Sequence, residues 1–298
     1  MGYIRSPSLT KVLKLRGSVS GITVYNAELF ITRHESTTID AFNAITFKRT
    51  NSISTAENKS KFPSLFKKRH SQSYCGLQDI TSCKLKGFIY VSSGQDCIIH
   101  RIGSVSRSVC GSWEVKSGDP TTLAVTKYGN LLVSCAIDGK VLEYTSDGKL
   151  LHRINFACDD LGPLHTIQLT NERFAVCHGR RQVLGENQGL TIIDTYGNSI
   201  PNAKPLDFKQ PCHLAIDLNN NVLIADRGCS KLILWNPIKG WQRVLISIDQ
   251  KMNVSTRIHL DESTGQLLML SGNDTLMIYK VKSTESKTTT NDYADYYS

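Results

Sequence analysis

Three observations predict that this 298-residue chain is all-β, a six-bladed β-propeller of four-stranded antiparallel blades closed by an N-terminal strand. Apolar strands of 4–6 residues, rich in Val, Ile, Leu and Thr, recur along its whole length. No stretch keeps a helical period of 3.6 residues for three turns. One strand–turn–strand pattern occurs six times, and from the second copy onward the copies start 43–48 residues apart. Four-stranded units at ~40–45 residues are what a propeller requires, and closing the ring leaves only short, protected strand edges.

The second and third strands of the six units fall in 28–42, 87–102, 130–144, 173–194, 221–235 and 266–281. A tight turn precedes each second strand, as at Tyr25-Asn26-Ala27, Lys86-Gly87, Tyr128-Gly129-Asn130 and Thr264-Gly265. Most of these turns supply the Gly or Asn that accepts a positive φ. The sixth unit holds only three strands, at 257–260, 266–270 and 275–281. Its fourth is expected from 11–16, KVLKLR, before blade one starts near Ser20. The expected organisation is an extension over 1–10, a propeller over 11–282 and a disordered Thr-, Asp- and Tyr-rich tail over 283–298.

An apolar fraction of 40% is enough for a sizeable core. No window approaches ~18 uninterrupted apolar residues, so no transmembrane helix is expected, and the N-terminus does not read as a secretory signal. Nine cysteines, at 75, 83, 97, 110, 135, 158, 177, 212 and 229, include no CxxC pair. That excludes a zinc ribbon, a RING or a thioredoxin-like site. Unpaired thiols without a signal imply buried apolar Cys in a reducing, cytoplasmic compartment. The sequons at Asn58, Asn253 and Asn273 would have no meaning there.

The net charge of +9 is concentrated: residues 48–70 carry Lys48, Arg49, Lys59, Lys61, Lys67, Lys68 and Arg69 against Glu57 alone. The chain thus reads as a near-balanced domain with a basic insert, 48–72, between blades one and two. Such a segment attracts phosphates, anionic lipid or an acidic partner.

The fifth unit, PCHLAIDLNNNVLIADRGCSKLILW (211–235), resembles an NHL repeat in its Pro211, Asp217, Ala225, Asp226, Gly228 and Leu232. The third unit is similar to a degenerate copy. It keeps Pro120, Gly129 and Val133 but has Cys135 where the repeat has Asp. The other four units match in strand pattern alone. The resemblance implies a six-bladed binding platform of the tripartite-motif-NHL type, here without a RING or B-box, so ligase chemistry does not follow. Members of that family bind proteins or RNA.

In a propeller, the entrances of first strands, the second-to-third-strand loops and the interblade connections share one face. Arg33, His34, Arg180, Arg181, Arg227 and Arg257 are assigned to it, and the insert should emerge beside them. A basic face suits an acidic peptide or phosphate, with Arg binding bidentately. A protein partner is expected first and RNA second, because the loops hold few stacking aromatics; no DNA is expected.

An enzyme reading also exists, since calcium-dependent lactonases share the six-bladed architecture. Ca²⁺ takes ~6–8 oxygen ligands. The expected channel positions, Ser82, Thr122, His165, His213 and Arg257, are poor in carboxylates. There is no G-x-S-x-G elbow, Walker A loop or HExxH, and Asp159 and Asp160 need not converge. No catalytic residue, metal ligand or cofactor is therefore expected. Met1-Gly2…Ser6 fits the loose N-myristoylation pattern. Arg49–Ser52 and Lys68–Ser71 fit basophilic kinase sites, where phosphate would weaken anion binding.

Overall fold

The structure, a computed structural model, describes residues 7–56, 76–94, 96–116, 118–156, 160–170, 172–180, 188–200, 208–248 and 255–281. Strand β1 (Ser8–Lys14) comes first, and blade one follows as β2 (Val19–Tyr25), β3 (Glu28–Arg33), β4 (Thr38–Asn43) and β5 (Arg49–Ser54). Blade two is β6 (Leu77–Cys83), β7 (Phe88–Ser93), β8 (Ile98–Gly103) and β9 (Val109–Glu114). Blade three is β10 (Thr122–Val125), β11 (Leu131–Cys135), β12 (Lys140–Tyr144) and β13 (Leu150–Asn155). Blade four holds β14 (Leu161–Thr170), β15 (Arg173–Arg180) and β16 (Gly189–Asp194). Blade five is β17 (Pro211–Ile216), β18 (Val222–Asp226), β19 (Lys231–Trp235) and β20 (Gln242–Ser247). Blade six contributes β21 (Ser255–Asp261), β22 (Gln266–Ser271) and β23 (Thr275–Lys280).

Every sheet is an antiparallel meander, and β1 completes the last one in the order β1-β23-β22-β21. The ring is therefore closed by the N-terminal strand, with Leu13 opposite Leu276 and Val12 opposite Met277. The closing strand begins earlier than the KVLKLR pattern indicates, at Ser8. Blade four shows three strands rather than four among the described residues. A lone bridge between Ile193 and Ser199 stands where its fourth strand would start.

The second strands are apolar on both faces because each blade is sandwiched between two others. In β11, β18 and β22, all or nearly all residues are buried. The outer strands β5 and β13 expose all but one residue each, Ile53 and Ile154. The core is a set of interblade layers: blades one and two meet through Phe30, Ile39, Ile80 and Val91. Blades six and one meet through Val24, Ile31, Leu268 and Ile278. Each buried Leu or Ile contributes roughly 1.5–3 kcal/mol, so stability is distributed around the ring.

The meander fixes two faces. The hairpins between first and second, and third and fourth, strands form the lower face. The loops between second and third strands, and the links from blade to blade, form the upper face.

Three expectations are corrected here. Lys48 lies in the turn before β5 on the lower face, and Arg49 begins β5, so the connection from blade one to blade two starts only after Ser54. The remaining insert cations, Lys59, Lys61, Lys67, Lys68 and Arg69, lie outside the described residues. Thr50 and Ser52 of the first kinase motif sit within β5, with the Thr50 hydroxyl donating to Glu28 at 3.1 Å. The thiols are not uniformly buried: Cys83, Cys135 and Cys177 are, whereas Cys110 is exposed. Cys75, Cys158, Asn58, Asn253, Met1, Gly2, Ser6, Ser71 and the 283–298 tail also lie outside the described residues.

Candidate functional site at the channel and upper face

The six innermost strands line a channel. Their pairing with the second strands places Gly21, Asp79, Thr122, His165, His213 and Arg257 at one level, near the upper mouth. Four of the five expected channel residues are in this ring. Ser82 is not: it lies deeper, and Asp79 takes blade two's place. The signal was present in β6, where Asp79 interrupts an apolar strand at the register that His165 and His213 occupy in theirs.

Asp79 is buried, with its Oδ1 3.5 Å from Arg257 Nε. The two reach each other past blade one because Gly21 has no side chain. A Cβ there would lie 2.7 Å from Asp79 Oδ1 and 2.8 Å from the Ile80 nitrogen. Burial raises the Asp79 pKa to about 6 despite the Arg257 guanidinium. His165 and His213 stack with ring centroids 3.8 Å apart. Burial, then the charge of Arg257, lowers His165 to about 3. Burial, then His165, lowers His213 well below the usual imidazole range.

Asp79, Thr122 and His165 join blades by hydrogen bonds, while His213 meets His165 by stacking alone and its buried Nδ1 has no hydrogen-bond partner among the described residues. The Leu123 N–H of blade three donates to Asp79 of blade two at 2.8 Å. Thr122 of blade three donates to the Leu164 carbonyl of blade four at 2.6 Å. The Leu214 N–H of blade five donates to His165 Nδ1 of blade four at 3.3 Å. Blade six presents His259 Nε2 to the Val24 N–H of blade one at 3.1 Å, and burial lowers His259 to about 4. Ser82 of blade two donates to the Val24 carbonyl of blade one at 3.1 Å. The Leu218 N–H of blade five meets Glu262 of blade six at 2.8 Å. An imidazole ring nitrogen accepts a backbone N–H only when unprotonated, and burial favours that neutral form at His165 and His259. Among the described residues, no three His, Cys, Asp or Glu side chains are placed to hold a metal ion.

The two Asp of the NHL-like unit anchor its loops. Asp226 receives the N–H groups of Lys209, Gln210 and Gly228 at 2.9, 2.9 and 3.0 Å, fixing the link from blade four and the Arg227 loop. Asp217 caps the Asn219–Asn221 turn by accepting the Asn219 and Asn221 N–H groups. In blade three Cys135 cannot act as Asp226 does. Asp138, three residues on, accepts the Asp119 N–H of the incoming link at 3.2 Å instead.

The upper face is divided by charge. Among the assigned cations, Arg33 is spent on Asp40 and on the Arg16 carbonyl, the latter at 2.6 Å, and Arg257 faces Asp79. Arg227 sits in the β18–β19 loop beside exposed Lys209. His34 is half-buried, and burial, then Arg257, lowers its pKa. Arg180 ends β15 at this face, and Arg181 lies outside the described residues. On blades two and three the same face carries Asp96, Asp119, Asp138 and Asp160 with exposed Lys116. The basic surface expected from the sequence is thus one sector of a two-signed face.

No protein-family model matches the chain, and no curated protein matches it in sequence. Its fold is similar to those of many solved structures. One is a virginiamycin B lyase from Staphylococcus aureus: TM-score 0.58, 12% identity, 96% of this chain and 89% of that one covered. Another is the WD40 β-propeller domain of Doa1: TM-score 0.59, 10% identity, 95% and 98% covered. At these identities the likeness shows the fold alone, and the six blades are this chain's own six sheets.

Proposed function

We propose that this protein is a non-enzymatic interaction propeller of NHL type that binds a protein partner through its upper face. The observation that carries the reading is the division of charge on that face. An acidic sector on blades two and three stands beside a basic sector around Lys209 and Arg227. A partner carrying both signs is complementary to such a face. A nucleic-acid backbone would meet repulsion along the acidic sector.

Two further features support it. The described strand ends that flank residues 57–75, 181–187 and 249–254 lie at the upper face, while the lower face is built of short hairpins. Loops carried on a rigid scaffold are the usual seat of recognition. Of the channel groups, Asp79, Thr122 and His165 are engaged in bonds between blades.

A photo-crosslinking residue placed at Arg227 and, separately, at Lys116 tests the reading. Crosslinks from both positions that are removed by protease and survive nuclease are expected. Crosslinks that nuclease removes would establish the RNA alternative. Calcium-dependent ester hydrolysis by the purified protein, abolished by His165→Asn, would establish the enzyme alternative.

A further inference from the structure

The lower face carries a second feature that the upper-face reading leaves unused. Its turns on blades one to three expose apolar side chains at their tips: Ile45 is 66% exposed, Leu85 67%, Val105 92% and Tyr128 50%. These turns are contiguous. The Ala44 N–H donates to the Ala27 carbonyl at 2.8 Å, and Arg107 pairs with Glu28 at 2.5 Å, joining blade one to blade two. The Ser104 N–H donates to the Gly87 carbonyl at 3.2 Å. A Cβ on Gly129 would lie 2.8 Å from the Lys86 side chain, so the Leu85 and Tyr128 turns also touch.

Cations alternate with these tips in the runs Ile45–Lys48, Lys84-Leu85-Lys86, Val105–Arg107 and Lys127-Tyr128. Glu28 is taken by Arg107, and Asp261 by Lys84 at 3.0 Å. No described carboxylate pairs with Lys48, Lys86 or Lys127, all of which are exposed. The opposite half of the lower face has apolar tips too, Tyr196, Leu218 and Ile238, but there Glu172, Asp194 and Glu262 stand beside them. Exposed Asp147 lies in the β12–β13 turn of blade three and exposed Lys239 beside Ile238, so the halves differ in the balance of charge: cations prevail on blades one to three and carboxylates on blades four to six.

We infer that the lower face of blades one to three docks on an anionic phospholipid bilayer, inserting Ile45, Leu85, Val105 and Tyr128 between headgroups contacted by Lys48, Lys86 and Lys127. Two points select this occupant. Lysine is depleted in protein–protein interfaces, where Arg and aromatic anchors dominate, whereas lysines beside a membrane are attracted by its negative surface potential. The apolar groups are separate convex hairpin tips, and a peptide or small ligand needs a concave site.

The test is flotation of the full chain with vesicles of phosphatidylcholine alone and with vesicles containing about 30% phosphatidylserine, in about 0.1 M salt. Binding to the anionic vesicles and not to the neutral ones is expected. Leu85→Ser with Val105→Ser should weaken it at least about tenfold, and Lys48→Glu with Lys86→Glu and Lys127→Glu at least as much. Deletion of 57–72 should leave it intact. Failure of the wild-type chain to float with anionic vesicles overturns the proposal. So does binding that the deletion abolishes and the turn variants keep. Val105→Trp is a folding-independent check: its fluorescence should shift to the blue and be quenched by brominated lipid, and vesicle binding without quenching overturns the assignment.

Discussion

At the residue scale, the most exacting arrangement is the Asp79–Arg257 pair and the Gly21 that makes room for it. Asp79→Asn removes the carboxylate charge that faces the largely buried Arg257, and breaking a buried pair costs about 3–5 kcal/mol. Gly21→Ala forces a Cβ against a carboxylate and a backbone nitrogen, neither of which can recede, and should cost about 1–3 kcal/mol. Urea unfolding of both variants checks these values. The histidines set the pH dependence. His165, His213 and His259 stay neutral in the folded protein, with His165 at about 3 and His259 at about 4. The unfolded chain protonates them from about pH 6.5 downward. The unfolded state then binds more protons, so stability falls as pH drops from 7 towards 4. Asp79 acts in the opposite sense. It keeps a proton up to about 6 when folded, and its contribution grows as pH falls through that value. The imidazoles held below their usual range, His34 and His178 included, outnumber the carboxyls held above theirs, Asp79 and Glu262. The melting temperature should therefore decline between pH 7 and pH 5, and His259→Asn should flatten that decline. A melting temperature that rises on acidification would show that the rings are protonated in the fold.

At the element scale, what was legible is what repeats. The strand–turn–strand pattern located the second and third strands of all six blades, because a strand buried on both faces must be apolar throughout. Ring closure was readable for the same reason: a sixth unit one strand short leaves an unpaired edge that only the N-terminus supplies. The outer strands were less visible. Strand β5, RTNSIS, has one buried residue, Ile53, so its polar, basic sequence reads as the start of the insert. Asp79 escaped notice because its partner Arg257 is four blades along the chain, and a spatial pair of that separation has no local signature. Asp226 stood out in the sequence of the fifth unit, and in the structure it receives three backbone N–H donors. Asp226→Ala removes them all and should cost about 2–3 kcal/mol. Asp226→Asn keeps an acceptor at Oδ1 for Gln210 and Gly228 and should cost about half as much. Equal losses in the two variants would mean that the charge, not the bonds, holds the loop.

At the scale of the whole molecule, the insert can be separated from the ring that carries it. Its two ends are anchored side by side: the Thr55 N–H donates to the Thr37 carbonyl at 3.0 Å and the Leu77 N–H to the Ser36 carbonyl at 3.1 Å. Gly76 passes so close to His34 that a Cβ would lie 2.1 Å from its carbonyl oxygen. Blade one is thus tied to blade two without using the residues between. Loop-closure entropy changes by only about 0.6 kcal/mol for each doubling of loop length. Replacing 57–75 with a short Gly-Ser linker should therefore leave the melting temperature within about 4 °C of wild type. The same deletion should weaken capture at the Arg227 and Lys116 crosslinking positions, because the insert enters and leaves on that face. A deletion that melts the ring would place the insert in the fold and remove it from recognition. A deletion that changes neither stability nor capture would assign partner binding to the two charged sectors of the face alone.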